Sequence, residues 1–346
     1  MPSVLDIRRR IRSVINTRQI TKAMKMVSAA RLRRAQERAL AARPYAQMLT
    51  NVLRSLVQRA DIYDPVTGEP RHPLLVRREE NNVLLIVVSG EKGLAGAFNT
   101  NINKAALRFI ESKPGKNVDI ETIGRKGRDF LRRRYAVAQG EDGARAGEIQ
   151  LVEDHPGVLN KITFEQVREI GQNIIEHYTD GKIDAVYIIY NEFKSVIAQR
   201  LVVERVLPIG EIGVTERTAA EEITDEEQQR RVQAAESAGV DIREADTSAI
   251  DARAAQFATS QVDYIYEQPP EELFRSMLPR YVGLQIYRAA LESAAAEHAA
   301  RMTAMDSATN NASDMIDSLT LIMNRVRQAK ITKEIIEIVS GAAAAG

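Results

Sequence analysis

The chain has 346 residues, enough for two domains of ordinary size or for one domain and an elongated element. It has no cysteine, which excludes disulfides, thiolate metal sites and cysteine nucleophiles. The net charge of +1 hides a polarity: residues 1–60 hold fourteen Lys and Arg against two acidic residues, and residues 211–256 hold twelve Asp and Glu against five Arg. The first segment is therefore suited to anionic partners, and the second to avoid anions or to meet cations.

The N-terminal residues 1–60 are predicted to form a long helix. Ser3–Arg43 contains neither Gly nor Pro and is rich in Arg, Ala, Met and Lys, which favour helices. Pro44 can kink this helix, which we expect to resume as far as Arg59. A narrow apolar stripe at helical spacing is formed by Ile7, Ile11, Val14, Ile15, Ile20, Met24 and Val27.

Strands and helices alternate in the next part of the chain, residues 75–209. The apolar run "NVLLIVV" predicts a buried strand, and its length is far below the roughly 20 residues that a membrane span needs. Thr163 and Gln166 form a capping box that starts a helix. This alternation predicts a small Rossmann-like α/β domain with a mostly parallel sheet. Its predicted strands are 82–88, 118–124, 184–193 and 197–208, and the helices between them are 99–112, 125–135 and one from Thr163.

Residues 210–259 form an acidic segment with few large apolar side chains. We expect one short solvated helix there, ending at Gly239, and little that could contribute to a core.

The last part, residues 270–346, carries the clearest pattern. Leu284–Ser340 contains neither Gly nor Pro, and a 4-3 heptad read from Leu284 stays apolar except at His298, Arg301 and Lys333. Such a seam predicts a coiled coil, and the N-terminal helix is the natural partner. The expected fold is thus an α/β domain plus a long antiparallel coiled coil, in which the C-terminal helix projects beyond its partner.

No group of residues indicates chemistry. The glycines of "SGEKGLAGAFN" fit neither common phosphate-loop pattern, so a tight strand-to-helix turn is favoured over a nucleotide site. The four histidines are scattered, and His298 is interpreted as a polar residue that sets the coiled-coil register. We expect no cofactor, no metal site and no catalytic residues.

The basic helix leaves two kinds of partner open. Nucleic acid is one, although aromatic interleaving and a groove-reading motif are absent. An acidic protein surface that surrounds the helix is the other. A merely solvated helix would carry compensating glutamates, and Glu37 is nearly alone in that role.

Two motifs at opposite ends resemble the gamma subunit of F-type ATP synthases. They are "ITKAMKMVSAARLRRAQ" at Ile20–Gln36 and "ITKEIIEIVSGAAAA" at Ile331–Ala345. "SGEKGLAGAFN" and "YIYEQPPEELFRSMLPRYV" are also family-like, and only residues 210–259 depart. The resemblance implies a non-catalytic rotor shaft that transmits rotation of the c ring to the catalytic beta subunits. The alternative is a free-standing structural or nucleic-acid-binding coiled-coil protein.

The resemblance also implies partners and contact residues. The partners are the alpha and beta subunits, the epsilon subunit and the c ring, with no nucleic acid and only indirect membrane contact. The location is the cytoplasmic face of a bacterial plasma membrane in preference to an organellar or thylakoid membrane. The residues expected near the lever and catch loops of the surrounding subunits are Lys22, Met24, Lys25, Arg327, Gln328, Thr332 and Glu334.

The C-terminal tip is expected to turn inside an apolar sleeve. Small side chains without hydrogen-bonding groups give such a tip no deeply preferred angle, and a charge there would lose its hydration. The residues assigned to this bearing are Ile338, Val339, Ala342 and Ala343. For residues 210–259, a regulatory role and a tolerated solvated insertion both stay open.

Overall fold

The structure is a computed structural model. It describes residues 3–57, 63–64, 66, 68–138, 147–196, 199–210, 212, 217–221, 225–241 and 267–345.

Two long helices dominate the molecule. Helix α1 (Val4–Val57) continues through Pro44, and helix α6 (Pro270–Ala345) continues through Pro279. They run antiparallel, as predicted, and the hydroxyls of Thr21 and Thr309 are 2.8 Å apart where they pack. At 1.5 Å per residue, α6 is about 114 Å long. Ser3 and Val4 lie beside Ala329 and Lys333, so the last turns of α6 extend beyond its partner.

The residues of α1 that face α6 repeat at a regular spacing that differs from the predicted apolar stripe. Ile20 and Val27, which were predicted for the stripe, are 60% and 53% exposed. The inward positions repeat every four and three residues from Ile7, and polar residues occupy several of them. These buried and half-buried positions are Ile7, Ile11, Val14, Arg18, Thr21, Lys25, Ser28 and Leu32.

On α6 the predicted heptad positions are buried or half-buried from Leu284 to Ala312, but two positions further on are wrong. Met315 and Ile322 are 54% and 45% exposed, while their neighbours Ile316 and Met323 are half-buried. The sequence offers two adjacent apolar residues at both places, and a count of apolar positions cannot choose between them. The observed inner face is Met305, Thr309, Ala312, Ile316, Leu319, Met323 and Val326.

A seven-stranded sheet lies beside this coiled coil, in the order β3-β4-β2-β1-β5-β6-β7. The first five strands in that order are parallel, whereas β6 is antiparallel to both of its neighbours. Strands β3, β4 and β7 were missed because they are short or rich in charged residues. The strands are β1 (Asn82–Val88), β2 (Asn117–Ile123), β3 (Ala136–Val137), β4 (Ile149–His155), β5 (Ala185–Phe193), β6 (Gln199–Leu207) and β7 (Arg217–Glu221).

Both faces of the sheet are covered, which explains the continuous apolar run of β1. One face packs against α2 (Phe98–Glu111) and α3 (Arg125–Leu131). The other face packs against α4 (Phe164–Thr179), the C-terminal part of α1 and the N-terminal part of α6. Short 3₁₀ helices at Pro73–Leu75 and Val158–Asn160 complete the connections.

An ion pair between a half-buried arginine and a buried glutamate fixes α6 to the sheet. Nη2 of Arg288 donates to Oε1 of Glu204 at 2.8 Å, and the Glu204 side chain is 1% exposed. The hydroxyl of Tyr190 donates to Oε2 of the same carboxylate at 2.7 Å. This contact with the sheet therefore fixes both the position of α6 along its axis and its rotation about that axis.

The capping box of α4 forms differently from the prediction. Thr163 is the N-cap with extended backbone angles, but its hydroxyl donates to Oε1 of Gln166 at 3.0 Å and caps no backbone amide.

Helix α5 (Asp225–Ala238) lies in the acidic segment and ends before Gly239, whose φ is +64°. The expectation of a solvated helix is wrong. Its alanine face is buried between the two long helices, since small side chains allow close helix approach. The buried cluster contains Ala29, Leu32, Val196, Ala234, Ala235, Ala238, Val240, Ala295, Ala299 and Met302.

Candidate functional site

A polar group lies inside the coiled coil where α1, α5 and α6 meet. Nζ of Lys25 donates to Oδ1 of Asp306 at 2.8 Å and to the hydroxyl of Ser237 at 3.1 Å. The Ser237 hydroxyl lies 3.1 Å from the same oxygen of Asp306. The Lys25 and Asp306 side chains are 9% and 10% exposed. Lys25, predicted as a partner contact, is therefore turned inward in this chain.

Lys22 and Met24, the other predicted contacts on α1, lie on its outer side. Lys22 is exposed and Met24 is half-buried. Met26 and Val27 nearby are 49% and 53% exposed. The outer face of α1 at this level thus combines positive charge with apolar surface.

The predicted contacts on α6 are exposed together. Arg327, Gln328, Thr332 and Glu334 all lie on solvent-facing parts of the helix. The Thr332 hydroxyl donates to the Gln328 carbonyl at 3.0 Å, and Glu334 lies 3.6 Å from Nζ of Lys330. Such an exposed ion pair contributes at most about 1 kcal/mol, so these side chains can exchange partners at little cost.

A groove of about 800 Å³ separates the start of α1 from α6. Its lining combines apolar side chains with four cations, an arrangement suited to an acidic segment with apolar residues. The apolar residues are Val4, Leu5, Val326 and Ala329, and the cations are Arg8, Arg325, Lys330 and Lys333.

The end of α6 is apolar and exposed. Ile338 and Val339 are 71% and 62% exposed, and Ile331, Ile335 and Ile336 are between 48% and 60% exposed. Ala342 and Ala343 belong to the helix, but their side chains lie outside the described residues. An exposed apolar surface of this kind marks an interaction site.

The loop of residues 89–97 is bound to the coiled coil. Arg301 donates to the carbonyls of Gly93 and Lys92 at 3.2 Å each and pairs with Glu297 one turn away. Burial, together with the nearby charges of Arg301, Arg31 and Lys92, lowers the pKa of His298 to about 4. These two of the three polar seam positions thus differ: Arg301 anchors a loop, and His298 is held neutral.

Sequence reasoning missed the inward position of Lys25 because it followed apolar residue types. The 4-3 spacing counted from Ile7 falls on Lys25 and supplies the signal that could have placed it. Ser237 had no such signal, since only the docking of α5 brings it to the coiled coil.

The comparisons with known proteins agree with this architecture. The family described as ATP synthase matches residues 3–345. The ATP synthase gamma chain of Solibacter usitatus is 49% identical over 345 residues and covers 100% of both chains. The chain belongs to the ATP synthase gamma-chain family. The gamma chain of Anaeromyxobacter sp. strain Fw109-5 is 42% identical, with 99% of both chains covered.

A solved structure shows the same fold. A chain of the Euglena gracilis mitochondrial ATP synthase superposes with a TM-score of 0.54 at 16% identity, covering 99% of this chain and 94% of that one. As a member of the gamma-chain family, the chain is the rotor, or central stalk, of an F-type ATP synthase. The alternative of a free-standing structural or nucleic-acid-binding coiled coil is not supported. None of the described helices is long and apolar enough to cross a membrane.

Proposed function

We propose that this gamma chain turns inside a ring of alternating alpha and beta subunits, with its foot on the epsilon subunit and the c ring. It contributes no catalytic residue and transmits rotation through its profile. The observation that supports this most is the apolar end of α6, where large side chains from Ile331 to Val339 face outward on a helix without a partner. Leaving that surface in water is unfavourable, so an apolar housing is required.

The contacts with the housing are divided between the two helices. Lys22 and Met24 face the acidic lever of the beta subunit, and Arg327, Gln328, Thr332 and Glu334 face the catch loops. Their exposure supports these roles. Cations on a mobile shaft steer acidic partners at several angles, since exposed charge pairs are weak and interchangeable.

Lys25 has a different role from Lys22. Because its ammonium group is buried against Asp306, it holds the shaft together and reaches the beta lever only if α5 and Asp306 release it. The four parts of the chain then have distinct roles. The two long helices, 1–60 and 270–346, form the shaft, the α/β domain 75–209 forms the foot, and 210–259 is an insertion. The buried face of α5 supports a role for the insertion in the shaft.

The tip of the chain acts as the bearing. Ile338, Val339, Ala342 and Ala343 lie at the end of α6, where side chains without hydrogen-bonding groups favour no fixed angle. The complex is peripheral on the cytoplasmic face of a bacterial plasma membrane, and the chain reaches the membrane only through the c ring.

The test is ATP-driven proton pumping in membrane vesicles that contain the assembled complex. Lys22→Glu should lower the number of protons pumped per ATP hydrolysed, because it places like charge beside an acidic lever. Lys104→Glu, at an exposed position of α2, is the matched control. Unchanged coupling in Lys22→Glu, with normal assembly, would contradict the contact.

Two deletions separate the remaining proposals. Removing residues 342–346 should leave coupling partly intact, and complete loss would argue against a low-friction bearing. Removing residues 210–259 should change the rate or the inhibition of ATP hydrolysis if the insertion is regulatory. An unchanged rate and unchanged inhibition would favour a tolerated insertion.

A further inference from the structure

Three side chains with metal-binding atoms meet on one face of the sheet, two from one strand and one from its neighbour. Glu121 lies on β2, and Glu153 and His155 lie on the neighbouring strand β4. Residues two apart on a strand share a face, and the parallel register places Glu153 opposite Glu121 and His155 opposite Ile123. We propose that Glu121, Glu153 and His155 bind a divalent transition-metal ion, with Zn²⁺ as the ion that fits best.

The distances suit a small ion. Nε2 of His155 lies 2.8 Å from Oε1 of Glu121 and 3.9 Å from Oε1 of Glu153. One donor atom from each of the three residues lies within 4.8 Å of the other two. Tetrahedral Zn²⁺ with ligands at about 2.0–2.1 Å separates its donor atoms by roughly 3.4 Å. The two distances from Nε2 lie on either side of that value, so small side-chain rotations complete the site.

The charges on the two strands call for a cation. Two carboxylates directly opposite each other on neighbouring strands repel. The Glu121 side chain is only 5% exposed, and its direct polar partner is the His155 imidazole. A divalent ion neutralises both carboxylates, whereas a protonated imidazole neutralises one.

The donor set selects the class of ion. One imidazole nitrogen with two carboxylate oxygens favours Zn²⁺, Co²⁺ and related ions over Mg²⁺ and Ca²⁺, which prefer oxygen donors alone. Glu153 is 46% exposed, so the ion has a route from solvent and a water molecule can fill the fourth position. The bound ion would tie β4 to β2 at the carboxyl ends of these strands.

This site departs from the expectation of no metal. The spacing of histidines along the sequence does not indicate this site. Glu121 lies more than thirty residues from Glu153 and His155 and comes close to them only because β2 pairs with β4. Glu153 and His155 supply the local signal, a carboxylate and an imidazole two residues apart in a strand.

The test uses the full-length, untagged chain after dialysis against a chelator. Zn²⁺ should raise the midpoint of thermal unfolding, because an ion that binds only the folded chain stabilises it. Co²⁺ should give the visible absorption of a four- or five-coordinate ion and should be displaced by Zn²⁺. Mg²⁺ at the same concentration should produce neither effect.

Variants assign the ligands. Glu121→Gln, Glu153→Gln and His155→Gln should each weaken Zn²⁺ binding at least tenfold, as measured by calorimetry. Glu111→Gln, at an exposed carboxylate of α2 outside the cluster, is the matched control and should bind as the unmodified chain does. Circular dichroism checks that each variant is folded, and Glu153→Gln stays informative if Glu121→Gln is unfolded because Glu153 is the more exposed ligand. Equal binding by all variants, or no binding by the unmodified chain, would overturn the proposal.

Discussion

Nζ of Lys25 lies 2.8 Å from Oδ1 of Asp306, and this ion pair joins α1 to α6 in the interior of the coiled coil. A charged pair at a seam position stabilises less than two apolar residues would, because both ions lose their hydration. It does, however, fix which residues lie opposite each other, as a polar seam residue does in other coiled coils. The pair therefore sets the register of the two helices.

Removing one member of this pair should be costly. Lys25→Met leaves the Asp306 carboxylate buried without its cation, and we expect a loss of about 3 kcal/mol or more in the free energy of unfolding. The double variant Lys25→Met, Asp306→Leu removes both charges and should recover most of that loss. Urea denaturation of the full chain measures both changes.

The control for this prediction is Lys22→Met. Lys22 is exposed, so the change should stay within about 0.5 kcal/mol. If Lys25→Met were as mild as Lys22→Met, the ion pair would not contribute to the register.

The seam of α1 shows what sequence reasoning could and could not reach. The long helices, their antiparallel pairing and the parallel core of the sheet follow from helix-favouring composition and apolar spacing. The buried position of Lys25 and the exposed position of Ile20 do not follow from it, because a pattern of apolar residues predicts that every lysine faces solvent and every isoleucine faces the seam. On α6, adjacent apolar pairs such as Met315 and Ile316 leave the rotation of the helix open by one position.

Other errors came from contacts that form only in three dimensions. Helix α5 was expected to be solvated because its segment is acidic, yet Ala234 and Ala235 are fully buried against the coiled coil. A small residue on a helix gives a weak apolar signal, and only the neighbouring helix decides whether it is covered. The roles of the predicted contact residues stay predictions, since they depend on partners.

Helix α5 should separate from the coiled coil when a charge is placed in its interface. Ala235→Glu puts a carboxylate at a position that is 0% exposed and next to other alanines, where burial removes the charge from water. Amide hydrogen exchange in residues 225–238 should become at least tenfold faster, which corresponds to about 1.4 kcal/mol of local stability. The sheet should keep its protection.

Gln233→Glu is the matched control for α5, because Gln233 faces solvent on the same helix. It should leave exchange unchanged. Equal protection in both variants would mean that the buried alanine face does not hold α5 in place.

Gly124 should not tolerate a side chain. Its φ is +105°, and a Cβ atom there would lie 2.1 Å from the carbonyl oxygen of Ser89, which belongs to the backbone of a neighbouring loop. We expect Gly124→Ala to lower the free energy of unfolding by about 3 kcal/mol or more, since it adds a clash to backbone strain.

Gly115 provides the comparison. Its φ is +70°, but a Cβ atom would meet nothing within 4 Å. Gly115→Ala should therefore show the cost of strain alone, about 1 kcal/mol. Both values come from urea denaturation, and equal losses would show that the contact with Ser89 is relieved by a small shift of the loop.

His298 should make the chain less stable in mild acid. Burial, together with the charges of Arg301, Arg31 and Lys92, lowers its pKa to about 4 in the folded chain. In the unfolded chain the imidazole binds a proton below about pH 6.5. The unfolded state thus gains a proton that the folded state excludes, and stability falls as the pH drops from about 6.5 to 4. Below about pH 4 both states are protonated and this contribution becomes constant.

The contribution of His298 across this window is at most about 3 kcal/mol. His298→Asn keeps a polar side chain without a titrating group, so the difference between its stability and that of the unmodified chain isolates this one residue. Urea denaturation between pH 4 and pH 7.5 measures that difference. The unmodified chain should lose stability relative to the variant as the pH falls, and two parallel curves would show that His298 titrates alike in both states. Because the imidazole lies beside Arg301, which holds the loop of residues 89–97, protonation should loosen that loop first.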